Sequence, residues 1–533
     1  MENGRQGQQQ YFIEYDRLPN YEADTARTPF QGVGSDSLTL PAGFDINTNL
    51  NSSLLPFDIE TTRERIGLGG RFIPRRNWKL DVAFRHETKD GTDRIGGAIA
   101  NGPPGMGSGL VGNTTAALLP EPIDYTTKQV DVTLHYAKGK GQFDIAYHLS
   151  QFDNGENSLT WEDPFAPGTG IFGRQSLEPD NEFHQLTFTG SYLLPYRSQL
   201  TGFVSAGRMI QDQAFLPYTY VTGLGAALQR NSFDGEVWQT TAQLALNSRP
   251  VSKLRLNARY RYDERDNDSP VNDYDYIVAD SFNPAGTVQN RPLGYQRDRF
   301  DLTANYRINT GMSLRGGYRY DAMSRDYQDV EREDTEENTL FAKWKMRAGA
   351  KVNLSLHAEA GIRDGSNYQP PVGENPALRK YHLADRDRNR VGASMNVMPS
   401  ERLDITASAD YIRDDYDNSA IGLTEATMPT WTLDIAWQPR SDVTASAWYT
   451  REDIESSQAG REDVTGNLAI PDWTADFDDT VDSMGVGGRI TGIRGKWDVG
   501  ADIVYTRTTG EVDLVNLGAG GVTPYPDLET SLT

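Results

Sequence analysis

Hydrophobic and polar residues alternate strictly with a period of two through most of the chain. The clearest stretch is Trp431 to Ile454, WTLDIAWQPRSDVTASAWYTREDI. Trp431, Leu433, Ile435 and Trp437 share one side, and Thr432, Asp434 and Ala436 share the other. After a tight turn at Gln438 to Asp442, Val443, Ala445, Ala447 and Tyr449 alternate with Thr444, Ser446 and Trp448. This spacing predicts a β-hairpin with one apolar and one mostly polar face. Aromatic residues at its strand ends suit the two headgroup zones of a bilayer.

The same unit recurs along the chain. Gln9 to Tyr15 reads as a first strand, and residues 17–62 as a long N-terminal loop. Arg63 to Phe72 is a weak, Gly-rich strand that turns into Trp78 to Glu87. There Trp78, Leu80, Val82 and Phe84 oppose Lys79, Asp81 and Arg85, charges whose burial in a dry core would be prohibitive without partners. A wet, polar lumen accommodates them. Val130 to Tyr136 and Phe143 to Leu149 form the next hairpin, and similar pairs follow to Trp497–Tyr505. About nineteen strands result, and short and long connections alternate throughout. Soluble sandwiches mix their loop lengths, whereas outer-membrane barrels keep short turns on one side and long loops on the other. Several strands also end alike, as in Tyr260-Arg261-Tyr262-Asp263 and Tyr318-Arg319-Tyr320-Asp321. That is a weak hairpin repeat, which a soluble propeller or β-helix could also carry.

The expected fold is therefore all-β: a large transmembrane, antiparallel, up-and-down β-barrel occupying residues 1–533 as one domain. Bacterial single-chain barrels have even strand numbers, so an odd count predicts a fragment, trimmed at both ends, of a barrel with two dozen or more strands. MENGRQGQQQ has neither a basic start nor an apolar core. An export signal is accordingly expected outside this sequence, with the outer membrane of a Gram-negative bacterium as the destination.

Composition narrows the function. With 37% hydrophobic residues and a mean hydropathy of −0.62, the 533-residue chain is too polar for a helical membrane protein. A net charge of −23 argues against nucleic acid as a partner. The absence of cysteine removes thiolate metal sites and covalent haem attachment. No cofactor is expected to be bound covalently, and any redox centre must belong to a partner. The six histidines, His86, His135, His148, His184, His357 and His382, show no metal-ligand spacing. Acidic clusters at Asp263 to Ser269, Asp385 to Asn389 and Arg413 to Asn418 could offer oxygen ligands to Ca²⁺, but none follows the EF-hand pattern, and they read as solvated turns. Gly96 to Asn113 reads as a Gly-rich loop without the ending of a phosphate cradle. No nucleophile elbow occurs, so an enzyme is not expected.

One further pattern is more specific. The opening YFIEYDRLPNYEADTARTPFQGVG followed by LTLPAGF, together with strand endings such as YRYDERDND, resembles the MtrB/PioB family of decahaem-associated outer-membrane proteins. The likeness extends over essentially the whole chain and is sharpest at Asp24 to Phe30 and Leu38 to Pro41. It implies a very wide barrel that sheaths a periplasmic multihaem c-type cytochrome and carries electrons across the outer membrane, with haem held by the partner. An extracellular multihaem cytochrome could join it. A C-x-x-C near the mature N-terminus, present in some members, is missing here, and its role does not transfer. On this reading the lumen-phase residues Lys79, Asp81, Arg85, Lys128, Asp131, His135, Asp144, His148, Arg255, Arg259, Arg315, Arg319, Asp404, Asp410 and Asp434 contact the cytochrome. They equally suit solvating a pore or pairing across strands, and a general or substrate-specific porin is the alternative function.

Overall fold

The computed structural model describes residues 2–100, 114–168, 170, 172–218, 227–277, 284–327, 329–371, 374–416, 418–462, 467–493, 495–517, 523–524 and 528–532. The chain forms two compact units: Met1–Tyr192, Gly202–Ala242 and Glu264–Gly294 in the first, and Leu193–Thr201, Gln243–Asp263 and Tyr295–Thr533 in the second. An antiparallel sheet is the main element of each.

The first unit's ladder runs in chain order through β1 (Gln9–Thr28), β2 (Leu55–Arg75), β3 (Trp78–Ala100), β4 (Thr114–Lys138), β5 (Gly141–Asn154) and β6 (Asn181–Leu194). Four long strands follow: β7 (Ser198–Gln211), β8 (Gly235–Val251), β9 (Leu254–Asn267) and β10 (Gly294–Arg307). The second unit contains β11 (Met312–Asp326), β12 (Asp334–Ala348), β13 (Val352–Gly365), β14 (Arg386–Ser400) and β15 (Leu403–Asp415). It continues with β16 (Ile421–Arg440), β17 (Val443–Gly460), β18 (Trp473–Ile493) and β19 (Trp497–Asn516). From β11 onward each strand pairs antiparallel with the next. Among the described residues nineteen strands are thus thirteen residues or longer, in line with the sequence reading. Crossing a bilayer takes about 9–11 tilted residues, and β3 and β4, with 23 and 25, extend well beyond that at their long-connection ends.

The hairpin of β16 and β17 shows why the pattern yields this structure. Leu433 stands opposite Tyr449, Ile435 opposite Ala447 and Trp437 opposite Ala445. On the other face Thr432 meets Thr450 and Asp434 meets Trp448. The strand continues to Arg440, past the expected turn at Gln438, because a register shift between Trp437 and Arg440 absorbs Pro439, which has no N–H to donate. Apolar side chains of the ladders remain exposed: Leu340 is 64% exposed, Val391 54%, Trp431 57% and Val486 64%. They do not pack together as a water-soluble core. Near the short turns a cross-strand aromatic row of Trp78, Tyr136, Phe143 and Phe188 lies on this apolar face, with ring centroids 4.6 to 5.9 Å apart. At the long-connection end of the second unit's strands a phenol on the apolar phase bonds to a carboxylate, Tyr320 to Glu336 at 3.1 Å. Amphipathic rings at two levels with aliphatic residues between them are what a bilayer selects.

A buried hydrophobic cluster is found in the first unit: Phe30, Leu38, Leu40, Phe44, Leu119, Leu159, Trp161 and Leu177. Its frame is a three-stranded sheet in which Ser37–Leu38 runs parallel to Thr160–Trp161, and Ser158–Glu162 pairs with Phe172–Ser176. The Glu162 carboxylate ties the two connections by accepting from the Leu40 amide at 2.9 Å. This cap packs on Leu119 of β4 and over Gly97 of β3, where an added Cβ would lie 2.6 Å from Leu119 and 2.9 Å from Trp161. Leu119 and Gly97 belong to the same alternation phase as Asp131 and Asp81, so the cap sits on the polar face of the β3–β4 hairpin.

Several boundaries differ from the sequence reading. The N-terminal connection spans residues 29–54, not 17–62, because β1 extends to Thr28 and β2 begins at Leu55. Register shifts between Tyr21, Ala23 and Ala26 break the period there and hide the strand. Gly96 to Ala100 belong to β3, and residues 101–113 of the expected Gly-rich loop lie outside the described residues. The acidic clusters are strand ends rather than turns: Asp263–Asn267 lie in β9, Arg386–Asn389 in β14 and Arg413–Asp415 in β15. Two short parallel pairings, Ser37–Leu38 with Thr160–Trp161 and Leu378–Arg379 with Ile421–Gly422, are exceptions to antiparallel order.

Candidate functional site on the polar face

In the first unit the polar phase of β3, β4 and β5 brings complementary charges into register. Lys79 stands opposite His135, which stands opposite Asp144. The His135 ring bridges two carboxylates, Nδ1 to Asp144 at 2.6 Å and Nε2 to Asp81 at 3.0 Å. Asp81 also accepts from Arg71 at 2.7 Å and Lys79 at 2.9 Å. Four residues back along β4 from His135, Asp131 accepts from Arg85 at 2.9 Å and pairs with His148 Nδ1 at 2.7 Å. These groups are partly exposed, and each exposed pair contributes no more than about 1 kcal/mol. Their sum fixes the side chains into an ordered, hydrated ionic surface.

Lys128 departs from the expectation. It stands opposite His86, in the phase of Phe84 and Val130, and pairs with Asp153 at 3.1 Å. It therefore lies on the apolar face, toward the long-connection end. The run Tyr125-Thr126-Thr127-Lys128-Gln129 is polar in both phases and conceals its parity.

In the second unit Arg319 forms an ion pair with Glu359 and lies 5.0 Å over the Phe341 ring, and Arg315 lies 5.8 Å from the same ring. Asp410 accepts from Arg390 at 2.8 Å and meets His357 Nε2 at 2.8 Å. Asp404 receives the amide of Asn396, and Asp434 faces Trp448 across the ladder. Arg255 and Arg259 alternate with Leu254, Leu256 and Ala258 on β9, in phase with Arg261 and Asp263. Of the six histidines, His135, His148 and His357 are on the polar phase. His86 and His184 are on the apolar phase, where His184 meets the Tyr147 hydroxyl at 2.9 Å, and His382 lies in a connection.

The sequence reading missed an arginine ladder. Arg386, Arg388 and Arg390 occupy alternate positions of β14 and share one face. They pair with Glu337 at 2.8 Å, Asp414 at 2.6 Å and Asp410 at 2.8 Å. Its signal in the sequence is R-D-R-N-R, an arginine at every second residue, whose interleaved Asp387 and Asn389 give it the look of a solvated turn. Among the described residues no three His, Cys, Asp or Glu side chains come together as a metal site.

The connections beyond the strands are tied by charge as well. Arg332, 6% exposed, donates to the Ser366 and Leu383 carbonyls and to Asp385 at 2.7 Å. Nearby, Glu331 pairs with Lys380. Burial raises the Glu331 carboxyl, but the Lys380 hydrogen bond and charge outweigh it and hold the group below its ordinary range. The folded value being depressed, this tie is complete above the unfolded carboxyl range and is lost as pH falls through the folded value. Protease protection of residues 374–385 should therefore decline over the interval in which pH falls from neutrality to below the ordinary glutamate range. Protection that stays constant across that interval excludes the tie.

Comparison with known proteins places this arrangement. Residues 1–533 match the family described as "Putative outer membrane beta-barrel porin, MtrB/PioB". The chain is 32% identical over 521 residues to "Outer membrane protein MtrB" of Shewanella baltica, covering 94% of this chain and 71% of that protein. Among solved structures, the siderophore receptor PiuA from Acinetobacter baumannii aligns at 13% identity with a TM-score of 0.43, covering 86% of this chain and 75% of that one. The FrpB iron transporter from Neisseria meningitidis aligns at 9% identity with a TM-score of 0.42, covering 89% and 80%. Full-length agreement with one family, together with strands that expose one apolar and one ionic face, makes this an integral protein of the Gram-negative outer membrane, and the chain belongs to the MtrB/PioB family of outer-membrane β-barrels.

Proposed function

We propose that the chain is the protein sheath of a transmembrane electron conduit, whose ionic face receives a multihaem c-type cytochrome from the periplasm. The single observation that carries this reading is the family membership over the whole chain. Two physical arguments support it. A hydrocarbon core of about 30 Å insulates, so electrons need closely spaced redox centres through it. This sequence has no cysteine to hold haem covalently, which is in keeping with redox centres carried by a partner. A haem protein with a polar surface cannot lie bare in lipid, and a wall that is apolar on one side and densely ionic on the other supplies the missing interface. The wall's own role is solvation and positioning, and no bond is made or broken on it.

Purification from outer membranes, followed by haem staining and a reduced-minus-oxidised spectrum, tests the proposal. Haem co-purifying in fixed ratio with the chain is expected. A haem-free preparation that raises bilayer conductance would instead identify a solute channel.

A further inference from the structure

Charge is divided very unevenly between the two faces of β9 to β15. Taking β9 up to Asp263, where the second unit's share of it ends, these strands place sixteen lysines and arginines on the polar phase and one, Arg413, on the apolar phase. The same polar phase carries eight aspartates and glutamates, half as many, although the chain as a whole has a net charge of −23. On β16 to β18 the polar phase carries a single base, Arg489, against Asp434, Glu452 and Asp479. The positive excess of this β9 to β15 sector thus does not continue into β16 to β18.

Most of the sector's carboxylates are already engaged. Asp263 accepts from Arg261 and Arg299, Asp321 from Arg297, and Glu337, Glu359, Asp410 and Asp414 from the arginines described above. Nine of the sixteen have no carboxylate within 4.0 Å among the described residues: Arg325 and Arg363 donate instead to hydroxyl or backbone oxygens, Arg307 ends β10, and the other six are Arg255, Arg259, Arg315, Lys343, Lys345 and Arg347. All six lie in the halves of β9, β11 and β12 next to the short turns. Arg315 stands directly opposite Lys343 in the ladder, a like-charge arrangement that destabilises a sheet unless something anionic intervenes. Beside it a cavity of about 470 Å³ is lined by Arg197, Arg249, Arg255 and Arg315 and by no carboxylate. Within that lining the Arg249 Nε is enclosed without a hydrogen-bond partner.

We propose that this cationic basin beside the short turns of β9, β11 and β12 is a docking surface for an acidic patch, made of side-chain carboxylates and haem propionates, on the cytochrome inferred above. The proposal rests on that reading of function. A fixed positive sector facing an anionic patch selects one rotational setting of the partner, because every other setting juxtaposes like charges or leaves the basin unpaired. It also speeds entry from the side of the short turns and makes the complex salt-sensitive.

The test uses the full chain purified with its bound haem protein. In R255Q/R315Q/K343Q/K345Q, haem is expected to leave the immobilised barrel at lower NaCl than in the unaltered chain, with affinity reduced at least about tenfold. The charge-conserving R255K/R315K/K343R/K345R should behave like the unaltered chain. Should the glutamine variant fail to assemble, a photo-crosslinking phenylalanine analogue at Phe341, between Arg315 and Arg319, reads the same surface in the native charge setting. Crosslinks to Asp/Glu-rich segments of the haem protein are expected there. Unchanged salt dependence in an assembled glutamine variant, or crosslinks from Phe341 to segments without acidic residues, overturns the basin while leaving the sheath intact. Absence of haem from the unaltered chain overturns the sheath itself.

Discussion

Arginine in place of Leu433 is expected to cost about 2–4 kcal/mol of stability in the membrane, the penalty for a guanidinium near the middle of a lipid-facing strand. Leu433 lies between Trp431 and Trp437 on β16, is 42% exposed, and stands opposite Tyr449 on the apolar face. Arginine one residue earlier, at Thr432, faces the other way. It forfeits only the 3.3 Å hydroxyl contact with Thr450, a change of no more than about 1 kcal/mol. Denaturant titration of protein folded into lipid vesicles separates the two. Equal costs at the two positions mean that the apolar face is not the lipid face.

Truncating Trp161 to alanine is expected to cost about 3–5 kcal/mol locally, the usual range for deleting a fully buried large aromatic. Its indole is 2% exposed, clamped between glycines: an added Cβ at Gly173 would lie 2.3 Å from the ring, and one at Gly97 2.9 Å. With the ring gone, the cluster that holds Phe30, Leu38, Leu159 and Leu177 loses its largest member. Residues 29–54 should become accessible to protease. The ladders take no stability from the cap beyond β3 and β4, so the far-ultraviolet β signal should persist. Unchanged protease resistance would show that the cap is held by something other than this cluster.

The parts of this fold legible in the sequence are those governed by alternation. Leu433 and Asp434 declare their faces because one phase must be greasy for lipid and the other wet, and in the ladder Leu433 stands opposite Tyr449 while Asp434 stands opposite Trp448. Lys128 failed where both phases are polar and only the register, counted from Val130, reveals parity. The end of β1 was hidden by the shifts at Tyr21, Ala23 and Ala26, since a bulge inverts the phase of all that follows. The cap could not be read from a period. Phe30, Leu40, Leu159 and Leu177 come from connections far apart in the chain, and only tertiary packing unites them. That packing also gives a physical reason for the family-like motifs DTARTPF and LTLPAGF: Phe30, Leu38, Leu40 and Phe44 are buried in the cap, not set in a membrane-crossing wall. The basic sector was missed because its arginines interleave with aspartates, and composition averages the two.

The central claim is that one phase of each long strand touches lipid and the other an ionic, wet face. Since the chain has no cysteine, single cysteines at positions 430 to 437 can each carry a nitroxide in vesicle-reconstituted protein, with oxygen and a water-soluble nickel complex as relaxing agents. Oxygen accessibility peaking at Trp431, Leu433, Ile435 and Trp437, and nickel accessibility peaking at Thr430, Thr432, Asp434 and Ala436, is the predicted result. Equal accessibility to both agents along the strand, or the opposite phase, would contradict it.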